Sequence, residues 1–183
     1  MASLLTHAVA SVSLGQAAAI EWRKQARFWV VSVVCSLLPD LDVIGFRFGV
    51  RYGDLWGHRG MTHSILMAVI IATLVTVIFF RGTTRKWKLC SLLFVVTASH
   101  GVLDAMTNGG LGVAFFSPFN THRYFLAWRP IRVSPIGISG FFSSRGVRVL
   151  RSEALWVWVP ALFLAVILRG VNRLNTLRNA NRE

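Results

Sequence analysis

Residues 65–80 read ILMAVIIATLVTVIFF, sixteen in succession without a charge. Such a run must be hidden from water, and it does not stand alone. Apolar segments recur at roughly 3–20, 28–46, 61–80, 89–107 and 154–170, each close to the ~20 residues that cross a hydrocarbon core as a helix. With 54% hydrophobic residues and a mean hydropathy of +0.56, the 183-residue chain is too apolar for an ordinary soluble domain. An all-α membrane protein is expected: a polytopic bundle of about five transmembrane helices, four if the first segment lies in the interface. No linker or internal repeat divides it, so residues 1–183 are expected to form a single integral-membrane domain. No basic n-region precedes the first apolar stretch, so a cleaved signal peptide is not expected.

The net charge of +13 does not imply a nucleic-acid partner. The basic residues fall in short groups between apolar runs, where Lys and Arg set membrane orientation and meet anionic headgroups. Cys35 and Cys90 lie inside apolar segments without metal-finger spacing and read as small buried hydrophobes. The connection 108–153 is rich in Gly, Pro, aromatics and Arg. It is expected to lie as a surface loop at the headgroup layer, with turns or short strands at its prolines.

Polar residues inside the apolar segments carry the functional signal. The chain has seven acidic residues, and Asp40, Asp42 and Asp104 fall within or at the ends of these segments. So do His63 and His100, with His58 just outside. Ionisable groups at that depth cost ~2.5–3.5 kcal/mol each on insertion scales, which makes them functional candidates. If all five segments cross, alternation places His7, Asp40, Asp42, His58, His63, His100, Asp104 and Glu153 at one face of the membrane. Ser3, His7 and Ser11 form a polar stripe at i, i+4, i+8 that should face other helices.

The spacing suits a metal. His100 and Asp104 stack at i, i+4 on one helix face. His58 and His63 flank a tight turn into a helix, and Pro39 disturbs the helix that carries Asp40 and Asp42. Imidazole plus carboxylate favours zinc, with manganese or iron(II) as alternatives, and the donor set is large enough for one or two ions. A transporter with a buried cation relay and a purely structural polar cluster also want buried Asp and His. A cluster at one end of the bundle, rather than at the midplane, argues against the transporter.

The blocks LLPDLD (37–42), GHRGMTHS (57–64) and SHGVLDAMTNGG (99–110), each at a helix end, form a series. It resembles the LexA-regulated, membrane-bound, metal-dependent hydrolase family, the YdjM-like inner-membrane proteins, over most of the chain. The resemblance implies a bacterial inner-membrane, multi-pass hydrolase, distantly similar to zinc-dependent phospholipase C. By it, His7, Asp40, Asp42, His58, His63, His100 and Asp104 map onto the family's polar positions.

The expected chemistry is metal-assisted hydrolysis of an ester, a phosphoester in first place, at the bilayer edge. A lipid or lipid-linked substrate explains the embedding best. His58, His63, His100 and Asp104 are the first ligands, with Asp40 and Asp42 as ligands or bridge. An Asp not fully used as a ligand, Asp42 in first place, would be the general base. Arg59 is placed to hold an anionic phosphate, assisted by Arg129 and Arg132. Thr62, Ser64 and Asn108 would orient ligands. Asp54 is expected to be a solvated ion-pair partner and His122 a surface residue.

Orientation follows from charge. The face away from the cluster carries eleven Lys/Arg, at 23, 24, 27, 81, 85, 86, 88, 169, 173, 178 and 182, against nine on the cluster's face. The positive-inside rule then puts the cluster on the extracytoplasmic side.

Overall fold

The computed structural model describes residues 1–136 and 138–180. Gly137 of the expected surface loop and Arg182 of the basic tail lie outside the described residues, as does the side chain of Arg178. The elements are helical: α1 (Leu4–Gly15), α2 (Ile20–Arg23), α3 (Ala26–Leu37), a 3-10 stretch Leu38–Phe48, a 3-10 turn Met61–His63, α4 (Ile65–Phe79), α5 (Lys86–Ala105), α6 (Ile138–Phe141), α7 (Ser144–Glu153), a π-helical turn Ala154–Trp158 and α8 (Val159–Ala180). Among the described residues there is no strand, only isolated bridges Thr107–Ile131 and Val113–Tyr124. The all-α membrane fold expected from the hydropathy pattern is the fold observed.

Three helical segments are long and apolar enough to cross a membrane: Ala26–Phe48, Lys86–Ala105 and Ser144–Asn175. Two shorter apolar helices, Leu4–Gly15 and Ile65–Phe79, stand beside them. The third apolar segment is thus shorter than expected, because Met61–His63 forms a separate turn before Ser64 caps α4 through its hydroxyl. The last helical segment is longer. It begins at Ser144, ten residues before the expected start, so Glu153 lies inside it rather than at its mouth.

Small and polar residues set the packing, as they do where lipid supplies no hydrophobic contrast. α4 turns Ala68, Ala72 and Thr76, an i, i+4, i+8 row, inward toward α5. Leu89, Leu93 and Val96 of α5 join Phe28, Cys35 and Ala72 in the larger apolar core. α1 packs against α3, α5 and α8 and is fixed by hydroxyls. Ser11 Oγ lies 3.0 Å from Ser32 Oγ of α3, and the Trp158 indole donates to Thr6 Oγ1 at 2.8 Å. The Ser3 and Ser11 hydroxyls of the polar stripe therefore do face other elements, Ser3 by donating to Glu153 at 2.6 Å.

The expected surface loop is in part interior. Val113, Ala114 and Ile131 are buried, whereas Phe116, Phe119 and Trp128 are exposed. Backbone bonds tie it down: Ile65 N donates to Phe115 O, Ala114 N to Arg59 O and Leu126 N to Ala105 O. Asn108 Oδ1 accepts from Val133 N, which pins the loop to itself.

Candidate metal centre

Four chain segments converge at one end of the bundle. α1 brings His7. The 3-10 stretch after α3 brings Asp40 and Asp42, with Pro39 in its first turn breaking the α-helical pattern. The GHRGMTH turn brings His58, Arg59 and His63, and the C-terminal end of α5 brings His100 and Asp104. All of these are buried; the most exposed, Asp42, shows 8% of its surface.

The turn is shaped by close approach. A Cβ at Gly60 would collide with the Leu55 carbonyl oxygen. Arg59 itself adopts φ 64, a left-handed conformation costly for a residue with a side chain. It is held there because its N–H donates to Asp42 Oδ2 at 3.2 Å and its carbonyl accepts from Ala114 N at 3.0 Å.

Two groups of side chains could hold an ion: Asp40, His63, His100 and Asp104, and Asp42, His58 and His63. Geometry favours the first. Ligands about 2.0–2.1 Å from a tetrahedral ion stand about 3.3–3.4 Å from one another. Here His63 Nε2 and His100 Nε2 are 3.1 Å apart, and His100 Nε2 and Asp40 Oδ1 3.3 Å. His63 Nε2 lies 3.6 Å from both Asp40 Oδ1 and Asp104 Oδ2. Two imidazole nitrogens facing each other across 3.1 Å can share at most one proton, whereas an ion between them uses both lone pairs.

The outer bonds agree. His100 Nδ1 lies 2.7 Å from the Ser36 carbonyl, which can only accept, so Nδ1 carries the hydrogen and Nε2 the lone pair. His63 Nδ1 lies 3.2 Å from Asp42 Oδ2, leaving Nε2 facing the other three donors. Asp42 gathers further donors: His58 Nδ1 at 2.7 Å, Thr62 Oγ1 at 2.7 Å and the Arg59 N–H. It is therefore saturated as an acceptor and orients the two histidines.

Unsatisfied atoms point the same way. Both Asp40 oxygens, both His7 ring nitrogens and His58 Nε2 are buried without a hydrogen-bond partner. Such groups are costly unless something compensates them. The cluster also holds three carboxylates, Asp40, Asp42 and Asp104, against the Arg59 guanidinium and the Met1 ammonium, which lies close enough to act on Asp104 and Asp40.

Several expected residues take other places. Arg59 is fully buried, and each of its three guanidinium nitrogens donates to protein: Nε to Asp104 Oδ2 at 3.0 Å, Nη1 to Gly109 O at 2.9 Å and Nη2 to Thr107 Oγ1 at 2.9 Å. This arginine holds the candidate ligand Asp104 and the NGG turn, and its guanidinium nitrogens are all engaged with protein. His7 stacks on His100, ring centroids 3.7 Å apart, with Nε2 3.6 Å from Asp104 Oδ1, and belongs to neither ligand group. Thr62 bridges Asp42 and His63, as expected of an orienting residue. Ser64 instead caps α4, and Asn108 fixes the loop. Glu153 accepts from the backbone and hydroxyl of Ser3. Asp54 pairs with exposed Arg51, and His122 is exposed.

Three contributors were not singled out in the sequence. Thr107 accepts from Arg59; TNGG follows the DAM of α5, and that proximity was the available signal. Arg123 reaches back to the carbonyls of His58, Tyr52 and Asp54, strapping the loop over the cluster. Tyr52 packs edge-on to His58 at 5.2 Å, and burial holds its phenol above the ordinary range, so it stays protonated.

With the geometry in place, the comparisons bear on it. Residues 1–176 match the family described as YdjM inner membrane protein. The chain is also 35% identical over 172 residues to the inner membrane protein YbcI of Escherichia coli strain K12, covering 92% of this chain and 97% of that protein. No solved structure matches. The chain belongs to the YdjM inner membrane protein family.

Proposed function

We propose that this YdjM-family membrane protein is a metal-dependent hydrolase acting on an ester, in first place a phosphoester, of a lipid or lipid-linked molecule. The observation that carries the metal is the Asp40, His63, His100, Asp104 set, in which the His63–His100, His100–Asp40, His63–Asp40 and His63–Asp104 separations of 3.1, 3.3, 3.6 and 3.6 Å lie near the ligand–ligand distance of a zinc site. Manganese and iron(II) suit the same donors. One ion fits better than two, because the second group would need His63 twice.

A divalent ion there supplies Lewis acidity and a water of lowered pKa. The chain supplies the rest. Asp40 Oδ1 faces the histidines, while Oδ2 is buried and unpartnered, free to take a proton from water. This moves the general base from Asp42 to Asp40, since Asp42 already accepts from four donors. Asp42 and Ser36 fix the histidine tautomers. Arg59 keeps Asp104 oriented and offsets its charge.

Arg123 ties the loop 108–153 to the carbonyls of His58, Tyr52 and Asp54, at the turn that leads into the cluster. The same loop offers exposed Phe116, Phe119 and Trp128, with Arg129 over Phe125 at 4.8 Å. Aromatics and arginines suit the headgroup layer, which supports a substrate drawn from the bilayer. Positive-inside counting supports an extracytoplasmic site.

Enclosure of the cluster favours a second reading, an ion that only pins the helices. One experiment separates them. Purified protein with stoichiometric zinc or manganese is given short-chain phosphatidylglycerol and a polyprenyl diphosphate in mixed micelles, and product is followed by mass spectrometry. Metal-dependent turnover, abolished by His100→Ala and by Asp40→Asn, is expected. Bound metal without turnover on either substrate would leave the structural reading, and no bound metal would refute both.

A further inference from the structure

At the opposite end of the bundle from the cluster, α2 and α8 line an open cavity of about 560 Å³. Its wall includes Arg23, Lys24, Arg169 and Arg173, with Ile20 and Val166 as apolar lining. Arg169 and Arg173 are i, i+4 on α8 and so share a face. Asn172, between them, donates to the Gln16 carbonyl at 2.6 Å and holds α8 against the turn after α1. The cavity is thus a fixed feature of helix packing.

Four cations converge here without carboxylate partners among the described residues; the neighbouring Glu21 pairs with none of them. Arg23 Nε is moreover buried and makes no hydrogen bond. A buried guanidinium N–H without an acceptor calls for an anion. The apolar lining selects which. Val166 continues into the exposed apolar residues Leu162, Phe163 and Ile167 of α8, an apolar lane on a helix long enough to cross a membrane. A phosphate beside a hydrocarbon lane describes a phospholipid. A soluble acidic peptide would use the charges and leave the lane unused.

We infer that this cavity is a binding site for the phosphate of an anionic phospholipid, with an acyl chain laid along α8. The site is independent of the metal cluster and lies at the membrane face away from it. It anchors the long, lightly packed last helix to a lipid headgroup.

The test uses the full chain in detergent. Binding of phosphatidylglycerol, of phosphatidylcholine with the same chains, and of inorganic phosphate is compared by native mass spectrometry. Wild type is expected to retain one phosphatidylglycerol in preference to phosphatidylcholine. Arg169→Gln/Arg173→Gln should bind it roughly thirtyfold more weakly. Arg145→Gln/Arg148→Gln, which removes the same charge at the other end of the helix, should bind as wild type does. Arg169→Lys/Arg173→Lys keeps the charge, should retain most binding, and guards against a folding defect. Equal losses in both glutamine pairs, equal retention of phosphatidylcholine, or displacement of the lipid by equimolar inorganic phosphate would each overturn the proposal.

Discussion

Asp42→Asn is the substitution that best separates an orienting carboxylate from a ligand. Asp42 Oδ1 accepts from His58, and Oδ2 from Thr62, His63 and the Arg59 N–H. An amide has the same shape but one acceptor and one donor. Whichever way it turns, its NH₂ meets a group that also wants to donate. If the NH₂ replaces Oδ2, three bonds are lost and His63 is freed to rotate; if it replaces Oδ1, His58 is freed. Losing an orienting partner of this kind costs about 10–100-fold in metal affinity, or about 1.4–2.7 kcal/mol. Asp40→Asn, by contrast, removes a charged donor from the four-membered set and should cost more than its neighbour does. The assay is metal content by plasma mass spectrometry after chelator-free purification, followed by competition with a metal-binding dye. The expected order is wild type, Asp42→Asn, Asp40→Asn. The reverse order, with Asp42→Asn stripped and Asp40→Asn still loaded, would place the ion among Asp42, His58 and His63 and refute the reasoning.

Arg59→Gln should destabilise the protein by about 3–5 kcal/mol, because Asp104 is left buried beside an emptied pairing position; denaturant unfolding in detergent measures it. Unchanged stability with lost turnover would instead make Arg59 a substrate residue. Gly110→Ala forces a side chain onto φ 90 with Arg59 Nη1 and the Tyr52 hydroxyl 2.8 Å from the new Cβ; a loss of about 1–3 kcal/mol is expected, against little effect from Gly82→Ala, where the space is open. Metal occupancy should fall on acidification, since protons compete for the histidine lone pairs; a pH-independent occupancy would point away from imidazole ligands. A Ser11→Ala, Ser32→Ala double-mutant cycle should give a coupling of about 0.6 kcal/mol, and none if the two hydroxyls do not meet.

The membrane fold was legible because a run such as 65–80 has few alternatives. Convergence of the His and Asp residues on one end was legible too, since alternation of crossings fixes the end on which each lies. Roles within the cluster were not. Asp40 and Asp42 are two residues apart with the same chemistry, and only the 3-10 geometry after Pro39 turns one toward the histidine nitrogens facing α5 and the other toward His58 and Thr62. Arg59 read as a phosphate holder because sequence shows its charge and not its burial. The early start of the last helical segment was hidden by SRGVRVLRSE, whose polarity reads as a loop; it is helical because Gly146, Val149 and Glu153 fall on the face turned inward.

The Glu153 clasp on Ser3 has a consequence for biogenesis. Every candidate ligand is encoded by residue 104, so a nascent chain that has delivered α5 to the membrane already owns the complete donor set. The glutamate that clasps the N-terminal segment arrives some fifty residues later. If the cluster takes a metal as proposed, loading and final closure are separable steps, because the donor set precedes the clasp along the chain.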